Sequence, residues 1–254
     1  MIEMISVILP AYNCEQTIEE AVASVLKQTY GDIELIIVDD GSEDKTHEIC
    51  SDLAKNDKRI KLITNSVNRG RHVSRLIAVD KAESKWIAFI DSDDIWQSDK
   101  IEKQIKLRDQ SECDLVYTGS AFIDWNGRVF EWVMNVPEQV DYKRLLKQNI
   151  ISNSSVLVRK KDYIDYSPSI DNGKDMHEDF ACWLSMLKAG LVAKGINEPL
   201  ITYRISRKSV SGNKISASRM NMNTYRYLKL GFFERVFYQT CYAVNGLNKY
   251  VHFR

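Results

Sequence analysis

The sequence predicts an α/β protein whose first half is built on a parallel sheet and whose second half is mixed. Apolar runs of strand length alternate with helical periodicities as far as residue 90, and beyond it the alternation gives way to a hairpin and isolated helices. The polar, chemistry-bearing residues of the first half also all follow apolar runs. They fall at strand carboxyl ends, where open α/β sheets bind ligands.

Ile5 to Leu9 reads as a buried strand stopping at Pro10, and Glu15 to Gln28 repeats Ile18, Ala21, Val22 and Val25 at helical spacing. The pattern recurs as a strand over Ile33 to Val38 with a helix from Glu43 to Ala54, then Ile60 to Thr64 with a helix from Arg71 to Lys81, then a strand over Trp86 to Ile90. Four strands separated by three helices predict parallel pairing. After a helix over Lys100 to Arg108 come a strand over Asp114 to Thr118, a hairpin from Phe122 to Trp132 turning at Asn126-Gly127, and a strand over Ser155 to Val158. Phe180, Trp183, Leu184 and Leu187 mark an amphipathic helix from Asp179 to Ala189, and one more helix is expected over Tyr225 to Tyr238.

Composition bounds the class. The chain has 254 residues, 44% of them hydrophobic, enough for a real core, and its 35 basic residues balance 35 acidic ones. The balance is uneven: from Arg204 onward ten basic residues face the single acid Glu234. Five widely spaced cysteines without a CxxC pair predict neither a zinc site nor a disulfide framework, and a cytoplasmic setting is expected. No secretory leader precedes the first strand and no window approaches eighteen uninterrupted apolar residues, so neither secretion nor membrane spanning is expected. Nothing points to nucleic acid.

Asp91, Asp93 and Asp94 place three carboxylates in four positions after an apolar strand, a crowding that a divalent cation relieves. Mg²⁺ or Mn²⁺ is the expected ion, since it also bridges phosphates. A solvated turn is the alternative. Asp39-Asp40 precedes Gly41-Ser42, so a turn exposes carboxylates able to accept a ring N–H, unless Asp40 or Ser42 caps the following helix. Glu178 and Asp179 open a helix, where a carboxylate serves the helix dipole or, if burial raises its pKa, acts as a base. Arg69, Arg71 and Arg75 follow the third strand in a place suited to phosphate, and His72 and His252 read as isolated surface residues.

Taken in order, Ser6-Val7-Ile8-Leu9-Pro10-Ala11-Tyr12-Asn13, Val38 to Thr46, Asn68-x-Gly70, Asp91-Ser92-Asp93-Asp94 and Glu178-Asp179 resemble family 2 glycosyltransferases over roughly residues 4 to 205. The resemblance implies the GT-A fold: a Rossmann-like nucleotide-binding half over 1–118 and an acceptor half over 119–205, sharing one mixed central sheet. It further implies that Pro10, Ala11 and Tyr12 flank the base, that Asp39 accepts from uracil N3–H, and that Asp91 with Ser92 meets the ribose side of the donor. Asp93, with Asp91, would hold Mn²⁺ or Mg²⁺. Arg75 and Arg204 would contact the donor, and Asp179, beside Glu178, would be the general base of an inverting hexosyl or N-acetylhexosaminyl transfer. The implied partners are a UDP-sugar donor and a lipid-linked glycan acceptor in surface polysaccharide assembly. The alternative is a nucleotide-sugar-binding partner protein without catalysis.

Two positions depart from the family pattern: Leu76 stands where an asparagine is common, and Ser206 where a histidine follows Tyr203-Arg204. A loop from 204 to 214, carrying Arg207 and Lys208, is expected to order over the diphosphate. The transmembrane helices and Q-x-x-R-W element of processive relatives are missing. The basic, aromatic region 206–254 either packs Phe232, Phe233, Phe237, Tyr238 and Tyr242 on the domain or lies on the inner face of an anionic membrane as a peripheral contact.

Overall fold

A computed structural model describes residues 3–170, 175–205 and 214–251. In the first half, β1 (Ile5–Ala11), α1 (Ile18–Leu26), β2 (Ile33–Asp39), α2 (Thr46–Asn56), β3 (Ile60–Thr64), α3 (Arg71–Lys81) and β4 (Trp86–Phe89) follow one another. β1 pairs in parallel with β2 and β4, and β2 with β3. Helices cover both faces, so β1 and β2 are buried at every position. Alternate residues serve two cores: Val7 and Leu9 pack with Ile18 and Cys50, whereas Ile8 and Ile36 pack with Ala78 and Trp183.

The second half comprises β5 (Ile95–Trp96), α4 (Lys100–Gln110), β6 (Leu115–Asp124), β7 (Val129–Met134), β8 (Gln139–Val140), α5 (Tyr142–Lys147), β9 (Leu157–Arg159), α6 (Lys160–Tyr166), α7 (Glu178–Lys188), β10 (Ala193–Ile205), α8 (Lys214–Tyr227) and α9 (Phe232–Val251). A 3₁₀ turn at Asn153–Ser155 precedes β9. The sheet runs β3-β2-β1-β4-β9-β6-β10-β5. β9 is antiparallel to both β4 and β6, and it stitches the parallel half to the mixed half. The boundary expected at 118 falls inside β6, so the halves share strands as well as a sheet.

Several elements differ from expectation for identifiable reasons. α1 starts at Ile18, because the backbone N–H groups of Cys14 and Glu15 are taken by Thr46 Oγ1 and Asp44 in the neighbouring loop. Neither Asp40 nor Ser42 caps α2; Asp44 Oδ1 accepts the Thr46 N–H instead. β10 was not expected at all. Its 13 residues include Gly195 and Pro199, which weaken the strand pattern, and its pairing with β6 shifts register on either side of Pro199.

The single C-terminal helix expected over Tyr225 to Tyr238 is two helices. Lys229 adopts φ 59°, the Leu230 N–H reaches back to Tyr225 O, and Gly231 follows, a Schellman stop. α9 then begins with its Gly231 N–H held by Glu234 at 2.9 Å. One face of α9 packs through Tyr238 and Tyr242 on Tyr225 and Phe180. Phe232, Phe233 and Phe237 remain exposed. No helix among the described residues is long and apolar enough to cross a membrane.

Candidate active site

The carboxyl ends of β1 and β4, the start of α3 and the start of α7 enclose an open cleft of about 790 Å³. Pro10, Ala11 and half-exposed Tyr12 form one wall, Asn68 to Arg71 a second, and Asp91, Ser92, Asp93 and Glu178 the floor. Trp125, Tyr203, Met176 and Met220 close the far side, contributed by the β6–β7 turn, β10, the residue run before α7, and α8.

The first two sequence blocks form one hydrogen-bonded unit. Asn13, at φ 46°, donates its N–H to Ser42 Oγ and accepts the Glu43 N–H on Oδ1, while the Cys14 N–H meets Thr46 Oγ1 at 2.8 Å. Gly41 is required where this unit meets the third block: its φ is +72°, and a Cβ would stand 2.8 Å from the Val67 carbonyl carbon. Asp40 then organises that block, since its buried carboxylate accepts from Asn65 Nδ2 at 2.7 Å, Arg69 N–H at 3.0 Å and Gly70 N–H at 2.8 Å.

Asp39 lies behind the cleft wall. It is 1% exposed, with Oδ1 accepting the Ser42 N–H and Oδ2 paired with His47 Nδ1 at 2.9 Å. The unexpected neighbour is His47, which no spacing in the sequence singles out. His72, expected on the surface, is buried with Nε2 against Pro168 O. His252 lies outside the described residues.

The acidic turn divides its three carboxylates. Asp94 is fully buried and faces inward, accepting from Ser154 Oγ and the Arg204 N–H, and burial raises its pKa well above the usual carboxylate range. Asp91 borders the cleft with one oxygen tied to Arg75. Asp93 also borders the cleft; burial first, then the Asp91 charge, pushes its carboxyl up to about 6. Hard-oxygen donors with an unmet need for positive charge fit Mg²⁺ or Mn²⁺. Among the described residues no three His, Cys, Asp or Glu side chains cluster as a metal cage, and the carboxylates available to an ion at the cleft are Asp91 and Asp93.

The arginines separate by role. Arg75 is 2% exposed and bridges Asp91 and Glu178, with Nη1 2.8 Å from Glu178 Oε1. Arg204 is likewise turned inward, donating to Asp93 O and pairing with Glu20 at 2.6 Å. Neither borders the cleft, whereas Arg69 and Arg71 do. Arg71 pairs with Glu178 at 3.0 Å while 45% of its side chain stays exposed. Residues 206–213, with Ser206, Arg207 and Lys208, lie outside the described residues.

Glu178 and Asp179 behave oppositely. Burial disfavours the charge on Glu178, but Arg71 and Arg75 outweigh it and bring the carboxyl down to about 2. Asp179 is raised above the usual value by burial and then by the Glu178 charge. Asp179 is half-buried with its Oδ1 accepting the Phe180 N–H at 2.7 Å, and, unlike Glu178, it does not itself line the cleft.

Residues 6–164 match the model of glycosyl transferase family 2. The chain belongs to that family. It is a glycosyltransferase similar over nearly its full length to curated members. It is 36% identical to TuaG of Bacillus subtilis (strain 168), named for teichuronic acid biosynthesis, over 97% of each chain. It is 34% identical to the Escherichia coli UDP-Glc:alpha-D-GlcNAc-diphosphoundecaprenol beta-1,3-glucosyltransferase WfaP, covering 98% of this chain and 96% of that one. Among solved structures, S. aureus TarS 1-349 in complex with UDP-GlcNAc superposes with a TM-score of 0.72 at 21% identity, covering 88% of this chain and 64% of that one. A mannosyltransferase from Pyrobaculum calidifontis in complex with GDP-Man and Mn²⁺ gives 0.69 at 16% identity, over 89% and 64%. These likenesses establish the GT-A fold of this glycosyltransferase.

Proposed function

We propose that this glycosyltransferase inverts configuration while moving a hexosyl or N-acetylhexosaminyl group from a UDP-sugar to a hydroxyl of a lipid-linked glycan acceptor in surface polysaccharide assembly. The observation that carries the reading is the convergence, in one cleft, of an apolar and aromatic wall, an acidic floor and Glu178 at a helix start, with Asp179 next to it in the chain. Similarity over nearly full length to an enzyme named for UDP-Glc and GlcNAc-diphosphoundecaprenol supports both the donor and the acceptor class.

Tyr12 and Pro10 pack on the base, and Asp39, held in place by His47 and Ser42, is the acceptor for the uracil N3–H. Asp91 and Ser92 meet the ribose side. A divalent ion on Asp93, with Asp91 nearby, would neutralise the diphosphate that departs. Arg71, exposed at the cleft, is better placed than Arg75 or Arg204 to touch phosphate oxygens, and the two buried arginines hold the acidic residues in position.

Of the two carboxylates, Asp179 is the base. A carboxyl near 2 is too weak to take a hydroxyl proton, so Glu178 is a positioning residue and its raised neighbour acts. Asp179 removes the acceptor proton as the oxygen forms its bond to the anomeric carbon. The bond from that carbon to the UDP oxygen breaks on the opposite face, and the electron pair leaves with the diphosphate.

The test is transfer from radiolabelled UDP-glucose and UDP-GlcNAc, with and without Mn²⁺, to GlcNAc-diphosphoundecaprenol, with the anomeric configuration of the product read by NMR. A β-linked product from an α-linked donor is expected. Transfer with retention would overturn the mechanism, and nucleotide-sugar binding without transfer to any glycan would favour a non-catalytic partner.

A further inference from the structure

α9 is apolar on both sides, and only one side is used. Tyr238 and Tyr242 face the domain, and Gln239 and Asn245 bond to Asn221 and to Lys147 O on the helices beneath. On the opposite side Phe233, Val236, Phe237, Thr240, Ala243 and Val244 recur at the helical spacings of three and four, and every one is exposed. Phe233 is 86% exposed and Phe232, beside it, 66%. A stripe of this kind over three turns is not a scatter of surface apolar residues; it is a face that no described residue covers.

The charge around it selects the occupant. α5 packs against α9, and its Lys143, Arg144 and Lys147 are exposed; Arg226 and Lys229, at the end of α8, are exposed as well. Asp141 and Glu234 lie here too, each accepting a backbone N–H at a helix start, and the five cations outnumber these two acids. Docking a second copy on the same stripe would bring two such basic rims together in low dielectric. An anionic lipid surface satisfies both halves of the pattern, with the aromatics entering the headgroup boundary and the cations meeting lipid phosphates. The geometry also ties this face to catalysis: α8 packs on α9, and the same α8 lends Met220 to the far wall of the cleft.

We infer that the exposed face of α9, rimmed by the basic residues of α5 and α8, docks the protein on an anionic membrane surface with the acceptor side of the cleft next to the lipid. The inference rests on the lipid-linked acceptor proposed above only for its biological purpose. The docking itself is read from the helix.

Flotation of the full chain with vesicles of phosphatidylcholine alone, and of equal parts phosphatidylcholine and phosphatidylglycerol, tests it. Binding is expected to the anionic vesicles, weakening at high salt as the ionic part is screened. The double substitution Phe233→Ser with Phe237→Ser should lower that binding by about tenfold or more, since each ring contributes its own burial, whereas Phe233→Leu with Phe237→Leu should retain most of it. Lys143→Gln with Lys147→Gln should weaken the preference for phosphatidylglycerol, since two of the five cations are lost. Nucleotide-dependent melting and transfer to a water-soluble acceptor lacking the lipid chain should match the unsubstituted protein in all three variants, which shows that they fold. Equal flotation of the serine variant, or no flotation of the unsubstituted chain, overturns the inference while leaving the transfer reaction standing. Concentration-dependent dimerisation abolished by the serine pair overturns it in favour of a second copy. Vesicle binding without any glycan transfer leaves the docking face intact and sinks the proposed reaction instead.

Discussion

At the scale of single residues, the acidic pair at the end of β2 reverses the emphasis that its sequence invites. Asp39 is the residue expected to read the base, yet Asp40 carries three hydrogen bonds that shape the Asn65–Gly70 segment beside the cleft. Asp40→Ala removes these three part-buried hydrogen bonds, each of net worth roughly 1 kcal/mol. A loss of about 3 kcal/mol is expected, together with weaker UDP binding, read by urea unfolding and calorimetry. Glu178 supplies a pH signature. Its folded-state carboxyl, near 2, lies below the value of about 4.3 for a free glutamate. Its pairing with Arg71 and Arg75 therefore stabilises fully above about pH 4.3 and fades as pH falls toward 2. Glu178→Gln should be less stable than the unsubstituted protein at pH 7, with the gap narrowing between pH 5 and pH 3. A gap that stays constant or widens there would show that Glu178 is not held by those arginines. Asp179→Asn should spare UDP binding and reduce kcat by about 10² or more, as for loss of a positioned base.

At the scale of elements, legibility followed local chemistry. β3 and α3 were bounded correctly by periodicity and by Gly70, which begins the helix at φ 89°. β10 was invisible because its fitness as a strand comes from pairing with β6, not from its own residues: Gly195 sits there since Pro137 O leaves no room for a side chain. A Cβ on Gly195 would stand 2.2 Å from that oxygen and 2.8 Å from the Tyr117 ring, so Gly195→Ala should cost about 3 kcal/mol or prevent soluble expression. Gly127→Ala, at the hairpin tip with open space around it and φ +79°, should cost only about 1–2 kcal/mol of backbone strain. Comparative thermal unfolding of the two variants checks the distinction. The cleft residues were legible as blocks and less so as roles. Sequence order shows that Arg75 and Arg204 are near the right motifs, but only the fold shows that both guanidinium groups turn inward. Trp125, beside the Asn126-Gly127 turn, lines the cleft without a sequence signal, because a turn signal says where the chain reverses and not what its tip faces.

At the scale of the whole molecule, the cleft joins pieces that are distant in the chain and held together by charge. Asp91, Arg75 and Glu178 link β4, α3 and α7, while Arg204 on β10 links the acidic turn to Glu20 on α1. A donor that bridges the base wall and the acidic floor therefore binds only the assembled fold, and its binding energy adds to global stability. At a hundredfold excess over Kd that addition is about 2.7 kcal/mol. For a chain of this size it corresponds to a rise in Tm of roughly 5–10 °C. UDP with Mn²⁺ should give a shift of that order, UDP with chelator a smaller one. Asp93→Asn should erase the difference between the two while keeping the chelator-insensitive part, because Tyr12, Pro10 and Asp39 are untouched. An Asp93→Asn protein that still gains extra stability from Mn²⁺ with UDP would place the ion elsewhere, and Asp91 would be the next carboxylate to change. Loss of both parts together would instead mean that the acidic turn supports the base wall as well as the diphosphate, a coupling open to two parts of one cleft that Cys14 and Ser92 both line.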